Sequence, residues 1–170
     1  MGHAILLLQV QTQHRMNNKA FTLIELLVAI SIIGILATLV SANLNSIRSR
    51  ARDTARKSDL KQYSISLESF ANINNGLYPS YTIVSGTQAS ADLCTGLSMT
   101  NCPDDPLLSP DPTYPPYKYI SDGTGAGATD ATVYVLWAKL ESGTSDWWIL
   151  CSTGKVGLAT AAPVSNSCPL

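Results

Sequence analysis

The chain has 170 residues, a formal net charge of −1, and charged side chains at only 14% of its positions. Its length suggests one domain, and its 45% hydrophobic content excludes a disordered polyelectrolyte. The balanced charge argues against bulk nucleic-acid binding, which shows a basic excess. Because about a quarter of the residues are charged in a typical soluble domain, the deficit indicates a segment that does not meet water.

The first element along the chain is an apolar segment at residues 21–40, which holds one charged side chain, Glu25, and no proline. About 20 apolar residues at 1.5 Å each match the roughly 30 Å hydrocarbon core of a bilayer. A buried core helix is the alternative, but such helices are more often amphipathic. We therefore predict a transmembrane helix over residues 21–40.

A second helical segment, the neck, follows at residues 41–75, which contain neither proline nor glycine. Apolar side chains recur on one helical face at Leu60, Tyr63, Leu67, Phe70 and Ala71. Asn75 and Gly76 supply a helix stop. This pattern predicts an amphipathic helix whose apolar face packs against the remainder of the chain.

Residues 76–170 form a predicted head, in which seven of the nine prolines lie between Pro79 and Pro116. We predict a long loop over residues 80–116 and strands over residues 117–121, 132–141, 145–152 and 155–160. Along residues 132–141, apolar side chains occupy both alternating sets, which indicates a strand buried largely on both faces or one that lies at an interface. The expected fold class is α+β, with a long N-terminal helix packed on a small antiparallel sheet.

All four cysteines lie in the head, and an even number fits disulfides, which persist outside the cytoplasm. Their spacing lacks the pair with two to four intervening residues that is typical of zinc sites, so zinc is disfavoured. Three pairings are possible. We favour Cys94–Cys102 and Cys151–Cys168, because each closes a short loop.

Residues around Phe21 carry a more specific signal. Met16, a candidate true start, opens a short basic leader, and Lys19-Ala20-Phe21-Thr22-Leu23-Ile24-Glu25 then runs into the apolar segment. This arrangement resembles the processing site of type IV prepilins and type II secretion pseudopilins. The resemblance implies a leader at residues 1–20, cleavage between Ala20 and Phe21 by a prepilin peptidase, and N-methylation of Phe21. Ala20 stands where the family mostly has glycine.

The resemblance also implies a pilin-like fold, a location and partners. The head would lie outside the cytoplasm on a single-pass anchor, although the basic residues after the span would place it inside by the charge rule alone. Inner-membrane assembly machinery would build the subunits into a periplasmic or cell-surface filament, a type IV pilus or a secretion pseudopilus. There Glu25 would pair with the Phe21 amine of a neighbouring subunit and fix the register.

Metal and catalytic chemistry have less support. Heads of related pseudopilins often bind calcium, and Asp122 and Asp130 flank a glycine-rich loop and are candidate oxygen ligands. We favour an ordinary polar turn there and expect no other cofactor. His3 and His14 both precede the expected cut, so the mature chain lacks any histidine-based catalytic arrangement, and we expect no enzyme.

The neutral total conceals a basic neck and an acidic head. Residues 41–61 hold six cations and two acids, whereas residues 62–170 hold three cations and nine acids. For the basic run at residues 48–57, which includes Arg48, Arg50, Arg52 and Arg56, we favour a solvated helix face with Asp53 and Asp59 interleaved over DNA binding. In a filament, the same residues could meet the acidic heads of neighbouring subunits.

Two other functions remain open beside the filament subunit. A membrane-anchored extracytoplasmic binding or sensor module would keep its leader. A minor pilin for DNA uptake would use the basic run of the neck, although nucleic acid is disfavoured as a partner.

Overall fold

A computed structural model describes residues 21–82, 86–143 and 146–170, with the side chains of residues 41–43 left out. The predicted leader, Met16 and Ala20 therefore lie outside the described residues. Contacts divide the chain into a unit that ends at Ala42 and a second unit, Asn43–Leu170. The two units are considered separately below.

The long helix α1 spans Leu23–Ile73. It ends two residues before the predicted boundary, because Asn75 and Gly76 both take a positive φ, of 56° and 81°. The amide of Gly76 then donates to the carbonyl of Ala71 at 2.8 Å. This bond is typical of a left-handed helix C-cap, which satisfies carbonyls that the helix leaves open.

In the second unit, one face of α1 packs on an antiparallel sheet. The helix contributes Leu60, Tyr63 and Leu67, all fully buried, as the apolar periodicity predicts. The sheet contributes mainly aromatic and aliphatic side chains to the same core, among them Tyr117, Tyr119, Tyr134, Leu136 and Leu150. Because large aromatic side chains bury the most area, this helix–sheet interface is the main stabilising contact of the unit.

The main sheet has five strands in the order β2-β3-β5-β6-β7, and a second sheet pairs β1 with β4. The strands are β1 (Tyr78–Pro79), β2 (Thr87–Gln88), β3 (Lys118–Ser121), β4 (Thr129–Ala131), β5 (Tyr134–Lys139), β6 (Trp147–Cys151) and β7 (Val156–Ala159). All pairs are antiparallel. The four predicted strands correspond to β3, β5, β6 and β7. The α+β fold class is confirmed.

The predicted loop over residues 80–116 contains more structure than its composition indicates. Besides β2, it holds a π-helical turn at Ala89–Leu93 and a short helix α2 at Cys94–Gly96. Ala89, Leu93 and Cys94 are fully buried in the core. These buried side chains, rather than any periodic pattern, hold the segment in place.

The face of the sheet turned away from α1 is covered by the C-terminal tail. Val135, Trp137 and Ile149 form a second core there, against which Cys168 and Leu170 pack. Strand β5 is therefore buried on both faces, which confirms that prediction. The structure contains the disulfides Cys94–Cys102 and Cys151–Cys168, with Cα atoms 5.6 and 5.8 Å apart.

Candidate functional site

The first turn of α1 is closed by a reciprocal cap between Thr22 and Glu25. The Thr22 amide and hydroxyl each donate to Glu25 Oε2 at 2.8 Å, and the Glu25 amide donates to Thr22 Oγ1 at 3.3 Å. This is a capping box, which satisfies helix N–H groups that lack an intrahelical acceptor. Our sequence analysis missed it, although the spacing T-x-x-E ahead of an apolar run is a readable signal.

Phe21 and the apolar helix beyond it are uncovered in the single chain. Phe21 is 87% exposed, and the large apolar side chains from Leu23 to Val40 are exposed as well. The segment Leu23–Val40 is long and apolar enough to cross a membrane. Its hydroxyls are satisfied within the helix, since Ser31 donates to the Leu27 carbonyl at 2.8 Å. Such a surface requires lipid or other chains to cover it.

In the second unit, the neck contributes Arg52, Asp53 and Arg56 to an ion cluster that also contains Asp105 and Glu141. Arg56 is fully buried and makes a two-pronged contact with Asp105, at 2.6 Å from Nε and 2.9 Å from Nη2. Its Nη1 also lies 2.7 Å from Asp53 Oδ1 and 2.6 Å from Glu141 Oε1. Planar guanidinium suits such multiple carboxylate contacts, which are among the stronger hydrogen bonds in proteins.

Backbone groups and Arg52 complete the cluster. Arg52 Nε donates to Glu141 Oε1 at 2.7 Å. The amides of Glu141 and Ser142 each donate to the Asp53 carboxylate at 2.9 Å. The cluster therefore joins three parts of the second unit: α1, the loop that carries Asp105, and the connection between β5 and β6.

These contacts shift the proton affinities of the cluster. Burial alone would raise the pKa of Asp53, but hydrogen bonds from Ser142, the Glu141 amide and Arg56 lower it below its ordinary value. The Arg52 hydrogen bond lowers the pKa of Glu141 despite partial burial. Burial opposes charge on Arg56, but Asp105 and Glu141 raise its pKa. All three groups are therefore charged at neutral pH.

We expect the free energy of unfolding to fall in acid. Asp53 and Glu141 have lower pKa values folded than unfolded, so the unfolded chain binds more protons. The stability they supply is complete above about pH 4.5 and is lost as the pH falls through their folded values. Urea unfolding of the full chain in detergent, followed by tryptophan fluorescence from about pH 6 to about pH 3, measures this. Asp53→Asn should flatten the profile, whereas Asp146→Asn, which lies outside the ion cluster, should leave it steep. A flat wild-type profile would contradict the assignment.

The ion cluster corrects our interpretation of the basic run. Arg48 and Arg50 are exposed, as expected for a solvated helix face, but that interpretation is wrong for Arg56 and Asp53, which are buried, and for Arg52, which is paired. Arg56 lies four residues before Leu60 and so falls on the apolar face of the helix. That position is the signal that could have placed it inside.

The calcium candidates Asp122 and Asp130 each accept hydrogen bonds from a nearby threonine. Asp122 accepts hydrogen bonds from the Thr132 amide and hydroxyl, both at 2.6 Å. Asp130 accepts from the Thr124 hydroxyl at 2.5 Å. Over residues 21–82, 86–143 and 146–170, no group of three or more acidic, histidine or cysteine side chains could hold a metal. These contacts are consistent with the ordinary polar turn that we favour, and calcium binding at Asp122 and Asp130 stays a prediction.

Comparisons with known proteins match both parts of the chain. The family model of the prokaryotic N-terminal methylation motif matches residues 15–41. Type II secretion system core protein G of Pseudomonas aeruginosa is 35% identical over 136 residues, which cover 78% of this chain and 92% of that protein. The type IV wide pilus major component PilA4 of Thermus thermophilus is 42% identical over 64 residues, 38% of this chain and 48% of that protein. No solved structure matches.

The match to protein G extends well beyond the apolar helix and covers nearly all of that relative. The methylation motif includes the cap residues Thr22 and Glu25 and the exposed Phe21. With the α+β fold described above, these findings confirm the resemblance drawn from the sequence. The chain belongs to the family of type IV pilins and type II secretion pseudopilins, and it is a structural filament subunit.

Proposed function

We propose that the chain is a pseudopilin, the building subunit of a type II secretion filament. The observation that carries this proposal is the similarity to core protein G, which extends over 92% of that protein. The similarity to the wide pilus component covers only 48% of its length. It supports a type IV pilus as the second candidate. A non-catalytic role follows from either assignment.

The proposal includes processing and topology. A prepilin peptidase cuts between Ala20 and Phe21, and the new Phe21 amine is methylated. The apolar helix then anchors the subunit in the cytoplasmic membrane, with the head outside. Two observations support this: the methylation motif spans the cut, and the head carries two disulfides, which persist outside the cytoplasm.

Assembly uses the exposed helix and Glu25. Glu25 lies four residues after Phe21, about 6 Å along a helix. In the single chain its carboxylate is held by Thr22. In the filament, other helices replace the lipid around this segment. There the Glu25 carboxylate accepts a hydrogen bond from the Phe21 amine of a neighbouring subunit. An ionised group in an apolar layer is costly without a partner, so this contact rewards one axial register.

Electron microscopy tests the function directly. The chain is produced with a prepilin peptidase and a type II assembly machinery, and sheared cell fractions are labelled with antibodies to the head. We expect labelled filaments, and we expect none when the assembly ATPase of that machinery is inactive. A processed subunit that stays in the membrane under both conditions would overturn the proposal. Filaments formed only by type IV pilus machinery would select the second candidate.

A further inference from the structure

Helix α1 packs on the middle of the five-stranded sheet, and the surfaces at the two sheet edges differ in the side chains that they present. Strand β7 forms one edge and β2 forms the other. On the β2 side, the loop at residues 103–105 is tied to the helix, since Tyr63 donates to the Pro103 carbonyl at 2.8 Å. On the β7 side, Val156 and Leu158 are exposed. The head therefore has two distinct flanks.

The basic flank lies beside β7. It consists of two lysines, Lys57 and Lys61, and three apolar side chains, Trp148, Val156 and Leu158. Lys57 Nζ lies 4.5 Å from the centre of the Trp148 ring, and Trp148 is paired with Leu158 across β6 and β7. Val156 and Leu158 are 47% and 53% exposed. They lie on the side of the sheet that faces α1, yet the helix does not cover them. Neither lysine belongs to the ion cluster.

The acidic flank, beside β2, consists of Asp104, Leu107, Leu108 and Asp111. Gln88 and Ser90, at the β2 edge, donate to Asp104 Oδ2 at 3.1 and 2.5 Å. Leu107 and Leu108 are half-buried, and Asp111 is exposed on the same turn. The Asp111 amide donates to the Leu107 carbonyl at 2.7 Å, which closes that turn. This flank pairs carboxylates with partly exposed leucines.

A helical filament of identical subunits needs a heterologous interface, in which one surface of each copy meets a different surface of the next. The two flanks satisfy that need. The basic flank carries Lys57 and Lys61 beside one carboxylate, Glu68, and so keeps a net positive charge. The acidic flank carries two carboxylates, and both flanks expose apolar area. Within the subunit, the ion cluster pairs Arg52 and Arg56 with Asp105 and Glu141. The charged side chains of the two flanks take no part in it, so they can contact another subunit. Complementary potentials of this kind select the partner surface and its register.

We propose that the basic flank of one subunit docks on the acidic flank of a second copy of this chain in the filament. This inference rests on the proposed filament function and specifies which head surfaces meet. Lys61 and Asp111 face each other across the contact. The leucines of one copy then lie against Trp148 and the two exposed β7 side chains of the other.

Charge reversal in the full chain tests the contact. Lys61→Glu and Asp111→Lys should each lower the yield of sheared filaments by about tenfold, because like charges then face each other. Combining both substitutions in one chain should restore the yield, and so should co-production of the two single variants. Lys139→Glu makes the same change of charge on the face turned away from the helix, and it should assemble normally. Thermal unfolding of each variant shows whether the head is folded.

The outcomes separate this inference from the proposed function. If the wild-type chain forms no filaments, the proposed filament function is contradicted. Normal filaments from both single variants, or a double variant no better than the worse single variant, overturn the docking of these flanks. Binding to phosphatidylglycerol vesicles but not phosphatidylcholine vesicles, lost in Lys61→Glu while its filaments form normally, would assign the basic flank to lipid instead.

Discussion

Replacing Arg56 with methionine is expected to lower the free energy of unfolding by about 3–5 kcal/mol. The guanidinium is fully buried and neutralises carboxylates from three parts of the second unit. Methionine fills similar volume but leaves Asp105 and Asp53 buried without their cation. Urea unfolding of the full chain in detergent measures the loss, because all three tryptophans lie in the head.

Two matched variants show whether the loss of stability is specific to the buried position of Arg56. Arg48→Met removes the same charge from an exposed position of the same helix, and we expect a change within about 0.5 kcal/mol. Arg56→Lys keeps the charge but loses the two-pronged contact with Asp105. Its free energy of unfolding should therefore lie between those of Arg56→Met and Arg48→Met. A loss at Arg56→Met no larger than that at Arg48→Met would show that the ion cluster does not hold the head together.

Replacing Glu25 with alanine is expected to leave a cleaved, membrane-inserted subunit that assembles poorly. Glu25 is the only charged side chain in residues 21–40, and the proposed contact with a neighbouring Phe21 amine depends on it. A lost contact of about 1.4 kcal/mol weakens an association tenfold. We therefore expect filament yield to fall by about tenfold or more, measured by immunoblot of sheared fractions against total processed subunit.

Thr22→Ala distinguishes the two roles of Glu25. It removes the hydroxyl of the cap within the subunit but retains the carboxylate for a neighbour. We expect it to assemble far better than Glu25→Ala. Ser31→Ala, which removes a hydroxyl bonded only within the helix, should behave as wild type. Normal filament yield from Glu25→Ala would contradict the proposed pairing with Phe21. Equal losses of yield in Glu25→Ala and Thr22→Ala would show that Glu25 acts only as a helix cap.

Local patterns in the sequence were sufficient for the main elements. The apolar segment and the spacing of Leu60, Tyr63 and Leu67 placed α1 and its buried face, because helical periodicity is a local property. Asn75 and Gly76 placed its end to within two residues. Strand β5 was visible because both alternating sets of its side chains are apolar.

Other features depend on contacts between distant residues. Arg56 and Asp105 are 49 positions apart, and no spacing rule relates them. Strands β1 and β2 have two residues each, too short for an alternating pattern. The cap at Thr22 and Glu25 is different, because its T-x-x-E spacing is a local signal that precedes an apolar run.

Mass spectrometry of the mature N-terminus tests the central claim most directly. The subunit is purified from membranes that contain a prepilin peptidase, and its N-terminal peptide is sequenced. A processed filament subunit begins at Phe21 and carries a methyl group on the Phe21 amine. A chain that retains any leader residues ahead of Phe21 under these conditions would contradict the account and favour a permanently anchored module.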